Sequence, residues 1–247
     1  MTGGPLLPFR PVFSSPILRP RSFSDAVLER LARLSPRAER SAALFAAPLG
    51  PDEHGFYLPR FVAFGPNSTD LDARISVLAG FAEGDESSSL AAFDLIDAAT
   101  AAPETIGGVV LDVVPLVNRG PGDLWSASWT TGERPELALL EREYRRLAPH
   151  AVVKLRRGPW RFPQGTVRGE SLSHWLDGAA PALLAAGWVE QPAHQIMVEG
   201  IDGVVPDLPF RPLELQLTLG RDAVGNSAAL RAIVQRIRAL LAHGQHL

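Results

Sequence analysis

Apolar and polar positions alternate along the chain in a way that predicts strands and helices in turn from residue 73 onwards. The run ARISVLAGF at 73–81 is apolar almost throughout, which is typical of a strand buried on both faces. The segment SSSLAAFDLIDAATA at 87–101 has apolar residues at helical spacing, and a serine is available as its N-cap. The pattern continues through predicted strands at 107–118, 151–158 and 212–220, and through predicted helices at 135–148, at 171–188 and at the C-terminus.

This alternation predicts an α/β fold with a mostly parallel, mixed and twisted sheet that carries helices on both faces. Residues 22–247 are expected to form this single domain, which begins with a helix at 22–35 and two short β-like runs at 41–49 and 56–65. Pro59 cannot donate a ladder hydrogen bond, so the second run is expected at a sheet edge. Residues 1–21 contain prolines at positions 5, 8, 11, 16 and 20, which predicts an extended, Pro-rich N-terminal arm.

Composition and charge exclude several classes of function. With 24 basic and 27 acidic residues the chain has a formal net charge of -3, so neither nucleic acid nor an anionic membrane is an expected partner. The absence of cysteine excludes disulfides, thiolate-bound zinc and a cysteine nucleophile. No apolar run is long enough to span a bilayer and the N-terminus lacks signal-peptide features, so a cytoplasmic location is expected. Nucleotide-binding glycine loops and the Gly-x-Ser-x-Gly nucleophile elbow are also missing.

Acidic residues cluster directly after the first buried strand. Glu83, Asp85 and Glu86 surround Gly84 in the stretch AEGDE. They fit three interpretations: oxygen ligands for a metal ion, an acidic first turn that favours the helix dipole, or the remains of a lost metal site. In a parallel sheet, ligands bind beyond the carboxyl ends of the strands, where three further loops or strand ends are also expected. Tryptophans in these loops either line an apolar pocket or pack its rim: Trp125, Trp129 and Trp160.

Several stretches of the chain resemble the zinc carboxypeptidase superfamily. They are FYLPRFVAFGP, RISVLAGFAEGDESSSLAAFDLI, VVPLVN, ELALLEREYRRLAPHAVVKL, and RPLELQLTLG with the long helix after it. Within the superfamily, the branch nearest succinylglutamate desuccinylase and aspartoacylase is the most similar, and the resemblance covers roughly residues 54–244. It implies a zinc-carboxypeptidase-like fold, a zinc cofactor, and hydrolysis of a peptide or an N-acyl amino acid.

The first zinc motif of the family has lost its histidine in this chain. Family members typically read Ala-Gly-Ile-His-Gly-Asp-Glu, with the histidine and the final glutamate as ligands, whereas this chain reads AGFAEGDE at 79–86. With one inserted residue, Glu83 takes the place of the histidine and Glu86 that of the glutamate. Without the insertion, Ala82 and Asp85 take these places. Neither alignment supplies an imidazole.

The two remaining functional positions also differ from the family. The third zinc ligand, a histidine, matches Arg156, and the catalytic glutamate matches Thr218. Arginine cannot replace the histidine, because its guanidinium stays charged and offers no acceptor to a metal. The resemblance therefore predicts a vestigial pocket formed by Glu83, Glu86, Arg156 and Thr218, with no catalytic residue and no cofactor. In this hypothesis, an ion pair between Arg156 and the glutamates occupies the position of the metal.

Two functions remain open. The favoured interpretation is an inactive relative of the zinc carboxypeptidases that binds a small molecule or peptide in the cleft at the strand ends. The alternative is an active metallo-hydrolase, either a carboxypeptidase or an N-acyl amino acid amidohydrolase, that holds zinc with atypical ligands. If a metal is bound, Glu83, Asp85 and Glu86 are its expected ligands.

Overall fold

The computed structural model describes residues 25–38, 40–51, 57–69, 72–118, 120–125, 134–158, 164–167, 189–190, 213–219 and 223–242. The helices within them are α1 (Asp25–Ala38), α2 (Glu86–Ala101), α3 (Pro135–Leu147) and α4 (Ala223–Ala242), with a short 3-10 helix at Pro103–Ile106. The strands are β1 (Leu44–Ala46), β2 (Phe61–Phe64), β3 (Ala73–Leu78), β4 (Val109–Val114), β5 (Ala151–Arg157), β6 (Gln164–Val167), β7 (Val189–Glu190) and β8 (Leu213–Leu219). The arm predicted at 1–21 and the helix predicted at 171–188 lie outside the described residues. In the part of the chain that is described, no helix combines the length and the apolar character needed to cross a bilayer.

The described strands form one sheet in the order β1-β2-β4-β3-β5-β8-β6-β7. Its centre is parallel, because β4, β3, β5 and β8 all run in the same direction. On one side β2 is antiparallel to β4 and β1 is antiparallel to β2. On the other side β6 is antiparallel to β8 and parallel to β7. The predicted α/β fold with a mostly parallel, mixed sheet is confirmed.

The prediction that β2 lies at the edge of the sheet is wrong. β1 covers its outer side, with Phe45 opposite Val62 in the ladder. Pro59 lies outside the strand, which begins at Phe61, so its missing N–H removes no hydrogen bond from the pairing of β1 with β2.

Helices cover both faces of the sheet, as the sequence predicts. On one face, Ile75 and Val77 of β3 pack in a cluster with residues of α1, α2 and α4. On the other face, Leu78 of β3 and Val152 of β5 pack with residues of α3. Side chains alternate between the faces along a strand, so a strand buried on both faces needs an apolar run without alternation. The last helix, α4, buries Leu230, Ile233, Val234 and Ile237 at helical spacing.

An ion network is buried between the sheet and α3. Arg60 donates from Nε to Asp112 Oδ1 at 2.7 Å and from Nη1 to Glu143 Oε1 at 2.9 Å. Ser76 Oγ donates to the second carboxylate oxygen of Asp112 at 3.3 Å. Burial raises the pKa of Asp112, and the adjacent Arg60 cation opposes this shift. The network links the segment before β2 to β3, β4 and α3 through side chains alone.

His150, directly before β5, couples the fold to pH. Its Nδ1 accepts a hydrogen bond from the backbone N–H of Arg74 at 3.0 Å. An accepting Nδ1 carries no proton, so this hydrogen bond requires the neutral imidazole. Burial, together with the charge of Arg74, lowers the pKa of His150 below its usual 6.5. A histidine with a lowered pKa stabilises the fold above its unfolded pKa, and this contribution is lost as the pH falls through the folded pKa.

We expect replacement of His150 by asparagine to weaken the dependence of stability on pH. The free energy of unfolding of the wild type should fall as the pH drops below about 6.5, because His150 becomes protonated more readily in the unfolded chain. Asparagine retains an acceptor for Arg74 N–H and does not titrate, so the variant should lose less stability over this range. Urea titrations at several pH values measure the difference. Equal slopes for the two proteins would contradict the assignment.

Candidate functional site

The carboxyl ends of four adjacent parallel strands meet at one edge of the sheet. β4, β3, β5 and β8 are neighbours in this order, and the acidic stretch at 82–86 follows directly after β3. In open α/β sheets this edge is where ligands bind. The structure therefore places the acidic stretch where the sequence predicts it, and the residues at this edge form the candidate site.

The chain segments after β3 and β4 are hydrogen-bonded to each other. Ala82 and Asp123 form an isolated antiparallel bridge between them. Asn118 is fully buried and reinforces the bridge, because its Nδ2 donates to Phe81 O at 3.1 Å and to Gly122 O at 2.9 Å. The two segments thus form one continuous structure beside the strand ends. Asn118 is not predicted as a site residue from sequence, because a lone asparagine after a strand indicates nothing beyond a turn.

Asp85 is a structural residue that joins α2 to β5. It is the N-cap of α2, and its Oδ1 accepts a hydrogen bond from Ser88 N at 3.3 Å. Its Oδ2 accepts a second hydrogen bond from Arg157 N at 3.1 Å. Burial raises the pKa of this carboxyl, although these hydrogen bonds act in the opposite direction. The serine N-cap that the sequence predicts is wrong, because an aspartate one residue before the helix accepts from both the helix and β5.

The other two carboxylates of the acidic stretch have different surroundings. Glu83 is exposed in the turn before Gly84, which has a φ of +74°. Glu86 is the first residue of α2 and is half-buried. Among the residues that the structure describes, no three His, Cys, Asp or Glu side chains lie close enough together to hold a metal ion.

Arg156 and Thr218 are brought together by the register of β5 and β8. They are directly opposite each other in the parallel ladder, and Arg156 Nε donates to Thr218 Oγ1 at 3.3 Å. The guanidinium carbon of Arg156 also lies 4.9 Å from the ring centroid of Trp125, a distance typical of a cation–π contact. Both residues are predicted at this edge from the sequence, and the structure brings them into contact.

The predicted ion pair between Arg156 and the glutamates is not formed. No salt bridge joins Arg156 to Glu83 or Glu86, all three of which are among the described residues. The reason is geometric: the Thr218 hydroxyl and the Trp125 ring hold the guanidinium over the end of β5 instead.

Lys154 is an unexpected component of the candidate site. Lys154 is only 2% exposed to solvent, and its Nζ donates a hydrogen bond to Trp125 O at 3.1 Å. The ammonium also lies 5.1 Å from the ring centroid of Phe81 and 4.8 Å from that of Trp125. The only signal in the sequence is a lysine inside an otherwise apolar strand. That pattern alone does not indicate which loop the ammonium contacts.

Trp125 is the aromatic surface of the candidate site. Its backbone N–H donates to Asp123 Oδ1 at 2.7 Å, and its carbonyl accepts from Lys154, so both ends of the residue are held. The indole packs edge-on against Phe81, with ring centroids 5.4 Å apart. Of the three tryptophans predicted here, Trp129 and Trp160 lie outside the described residues.

Solved structures with the same architecture identify the fold. A metallo-carboxypeptidase from Burkholderia cenocepacia aligns with a TM-score of 0.69 at 12% identity, covering 88% of this chain and 70% of that one. The fold is that of the metallo-carboxypeptidases. A metallo-carboxypeptidase from Pseudomonas aeruginosa in complex with (2-guanidinoethylmercapto)succinic acid aligns with a TM-score of 0.64 at 13% identity, covering 87% and 68% of the two chains. Bovine thrombin-activatable fibrinolysis inhibitor in complex with tick carboxypeptidase inhibitor aligns with a TM-score of 0.66 at 11% identity, covering 88% and 96%.

In sequence, no protein-family model and no curated protein matches the chain. The shared architecture at 11–13% identity therefore establishes the fold, and the chemistry has to be judged from the side chains of this chain.

The described residues of this metallo-carboxypeptidase fold do not make a donor set for zinc. A catalytic zinc site needs three protein ligands, usually imidazole or carboxylate groups, and one open position. At the strand ends, Asp85 already accepts hydrogen bonds at both oxygens, and the Arg156 guanidinium offers no lone pair to a metal. Only Glu83 and Glu86 remain as oxygen donors in the acidic stretch. A fixed guanidinium charge at the same edge disfavours a divalent cation.

Proposed function

We propose that this chain is a non-catalytic member of the zinc carboxypeptidase superfamily, nearest to the succinylglutamate desuccinylase and aspartoacylase branch, that binds a small molecule or peptide at the strand ends. The observation that carries the proposal is the position of Arg156. The sequence resemblance implies that it replaces a zinc-binding histidine of the family, and its guanidinium contacts Thr218 and Trp125. The metallo-carboxypeptidase fold supports the superfamily, and the order of elements together with the strand sequences supports the branch.

The replaced residues argue against zinc-dependent hydrolysis on chemical grounds. In that reaction the metal lowers the pKa of its bound water to about 7, which requires lone pairs on the protein ligands. The guanidinium of Arg156 has no lone pair to offer and remains charged at every relevant pH. Thr218, which matches the catalytic glutamate, has a hydroxyl that does not act as a base near neutral pH without an activating neighbour.

One observation favours the alternative of an active metallo-hydrolase with atypical ligands. Glu83 is exposed and Glu86 is half-buried, and neither side chain forms a salt bridge with another described residue. Two carboxylates close in sequence can bind a divalent cation when water completes its coordination shell. Metal content and activity distinguish the two functions.

We expect purified protein equilibrated with zinc and then desalted to retain well under one zinc ion per chain. A panel of peptides with free C-termini and of N-acyl amino acids should show no turnover above a buffer blank. Elemental analysis and product detection by mass spectrometry make the two measurements. Stoichiometric zinc would refute the proposal, and so would turnover that Glu86→Ala abolishes.

We also expect the triple variant Glu83→His/Arg156→His/Thr218→Glu to bind zinc about 100-fold more tightly than the wild type. The three changes supply two imidazoles and one carboxylate at the positions of the family's functional residues. The control is Glu83→Gln/Arg156→Gln/Thr218→Gln, which alters the same positions without adding metal ligands. Competition with a zinc-sensitive dye measures the affinities. If the histidine variant binds no better than the control, the alignment of these positions is wrong.

A further inference from the structure

We infer that a cavity between α2, the 3-10 helix and α4 binds a small amphiphilic anion, in which an apolar chain of about eight carbon atoms carries an acidic head group. The cavity has a volume of about 270 Å³. It lies at the opposite edge of the sheet from the candidate site, because the 3-10 helix at Pro103–Ile106 comes before β4 and the candidate site follows it. This binding site is therefore separate from the one in the proposed function.

The floor of the cavity is apolar and buried. It is formed by Leu95 and Ala99 of α2, Ile106 of the 3-10 helix and Val234 of α4, each at most 3% exposed. A cavity lined by aliphatic side chains does not hold ordered water, and it binds apolar molecules of matching size. The floor therefore favours the apolar part of a ligand, which gains free energy by leaving water.

The size of the cavity sets the length of the apolar part. An enclosed apolar cavity of about 150 Å³ binds benzene, so the 270 Å³ of this cavity corresponds to roughly ten carbon atoms. A chain of about eight carbon atoms then fills the floor and leaves space for a head group at the rim. The space arises from the alanines at 98, 99, 101 and 102 of α2, because longer side chains at these positions would fill it.

The rim of the cavity supplies polar groups. Arg231 and Gln235 of α4 line it and are exposed. No described residue forms a salt bridge with the Arg231 guanidinium, whose N–H donors suit an anionic head group. Thr105 also lines the cavity, but its hydroxyl donates to Ala102 O at 2.7 Å. Arg231 is therefore the residue that we expect to contact the head group.

Positive charge prevails on the face of α4 that lines the cavity. Arg231 and Val234 lie one turn apart, and Arg238 follows Arg231 by two turns on the same helical face. The Nη2 atom of Arg238 lies 3.7 Å from the position that a Cβ on Gly107 would occupy, so it is next to the end of the 3-10 helix. Like Arg231, Arg238 forms no salt bridge with a described residue. The two cations favour a ligand with a negative charge.

The acidic residues nearby do not cancel this charge. Asp97 lies on the stretch of α2 that lines the cavity, and it is paired with Arg30 and Arg37 of α1. Glu104 of the 3-10 helix is exposed and forms no salt bridge with a described residue. Among the described residues, one exposed glutamate beside two arginines leaves the rim with a net positive charge.

Isothermal titration calorimetry with octanoate, butyrate and 1-octanol tests the site, at concentrations at which the probes are monomeric. Octanoate has four more methylene groups than butyrate, so we expect it to bind about 10- to 100-fold more tightly. 1-Octanol has the same chain without the charge, and we expect octanoate to bind about 3- to 10-fold more tightly than this alcohol.

Two variants with matched controls locate the ligand. Ala98→Phe fills the cavity and should weaken octanoate binding at least about 10-fold, whereas Ala32→Phe, on the exposed side of α1, should not. Arg231→Glu reverses the charge at the rim, so this variant should bind octylammonium more tightly than octanoate. Arg142→Glu makes the same change on the exposed side of α3 and should retain the wild-type preference for octanoate. Circular dichroism confirms that each variant is folded before titration.

Several results would overturn the inference. These are no binding of octanoate at millimolar concentration, equal affinities for octanoate and butyrate, wild-type affinity of Ala98→Phe for octanoate, or an unchanged preference of Arg231→Glu for the acid. A dimer in sedimentation velocity that Ala98→Phe dissociates would show that a second copy of the chain covers the cavity. Binding to phosphatidylglycerol vesicles that Ala98→Phe abolishes would assign the cavity to a membrane surface. Either result would also refute a site for a free ligand, and neither bears on the zinc and turnover measurements that test the proposed function.

Discussion

Replacement of Arg60 by methionine is expected to lower the free energy of unfolding by about 3–5 kcal/mol. Arg60 is the only cation in its buried network that contacts Asp112 in the described part of the chain, and Asp112 is fully enclosed between the sheet and α3. Without the arginine, the aspartate becomes a buried charge without compensation or has to take up a proton. Urea denaturation at neutral pH measures the loss.

The double variant Arg60→Met/Asp112→Leu is the control for this prediction. It removes both buried charges and puts apolar groups of similar size in their place, and Glu143 retains its contact with Arg146 on the surface of α3. When a single substitution destabilises a protein by leaving a buried charge unpaired, replacing both partners by apolar residues recovers stability. The double variant should therefore be more stable than Arg60→Met. If it is less stable, the loss arises from packing of the arginine side chain and not from its charge.

Replacement of Asp85 by alanine is expected to lower the free energy of unfolding by about 2–4 kcal/mol. The change removes the N-cap of α2, which typically costs about 0.5–2 kcal/mol. It also removes the acceptor for Arg157 N at the end of β5, and loss of this part-buried hydrogen bond costs a further amount of about 1–2 kcal/mol, the net contribution of one hydrogen bond. Thermal or urea unfolding of the variant provides the measurement.

Asparagine at the same position separates hydrogen bonding from charge. Asp85→Asn retains a capping oxygen, so it should be more stable than Asp85→Ala. Burial raises the pKa of Asp85, so the folded wild type binds its proton more tightly than the unfolded chain does. The wild type should therefore lose stability relative to Asp85→Asn as the pH rises from about 3.8 through that raised pKa. An alanine variant as stable as the asparagine variant would show that the cap contributes little.

The sheet and the location of the candidate site could be predicted because both follow from local patterns. The apolar run at 73–81 contains β3, at Ala73–Leu78, and the helix predicted at 135–148 matches α3 almost to the residue. Each pattern depends only on neighbours in sequence, which determine the periodicity of buried positions. Once parallel strands are predicted, their carboxyl ends have to meet, and this places Arg156 and Thr218 at one edge without knowledge of any contact.

Contacts between distant residues leave no such pattern. Lys154 and the Trp125 carbonyl that accepts from it are 29 residues apart, and their meeting depends on the path of the chain after β4. The choice of Asp85 over a serine as the N-cap has the same origin, because both residue types suit a cap and only the end of β5 supplies the second N–H. The sequence predicts that Arg156 lies at this edge, but it does not predict which residue accepts its hydrogen bond. Thr218 and the glutamates of the acidic stretch all lie at or directly after strand ends that meet at the same edge, and only the structure shows that Thr218 is the acceptor.

Asn118 gives the candidate site one further property. Because its amide fastens the chain after β3 to the chain after β4, these two segments are expected to keep their relative positions when a ligand arrives or departs. These segments then lose little conformational freedom when a ligand binds, so a small ligand needs few contacts to remain bound. A ligand that displaces one of these segments also has to displace the other, because Asn118 and the bridge between Ala82 and Asp123 join them.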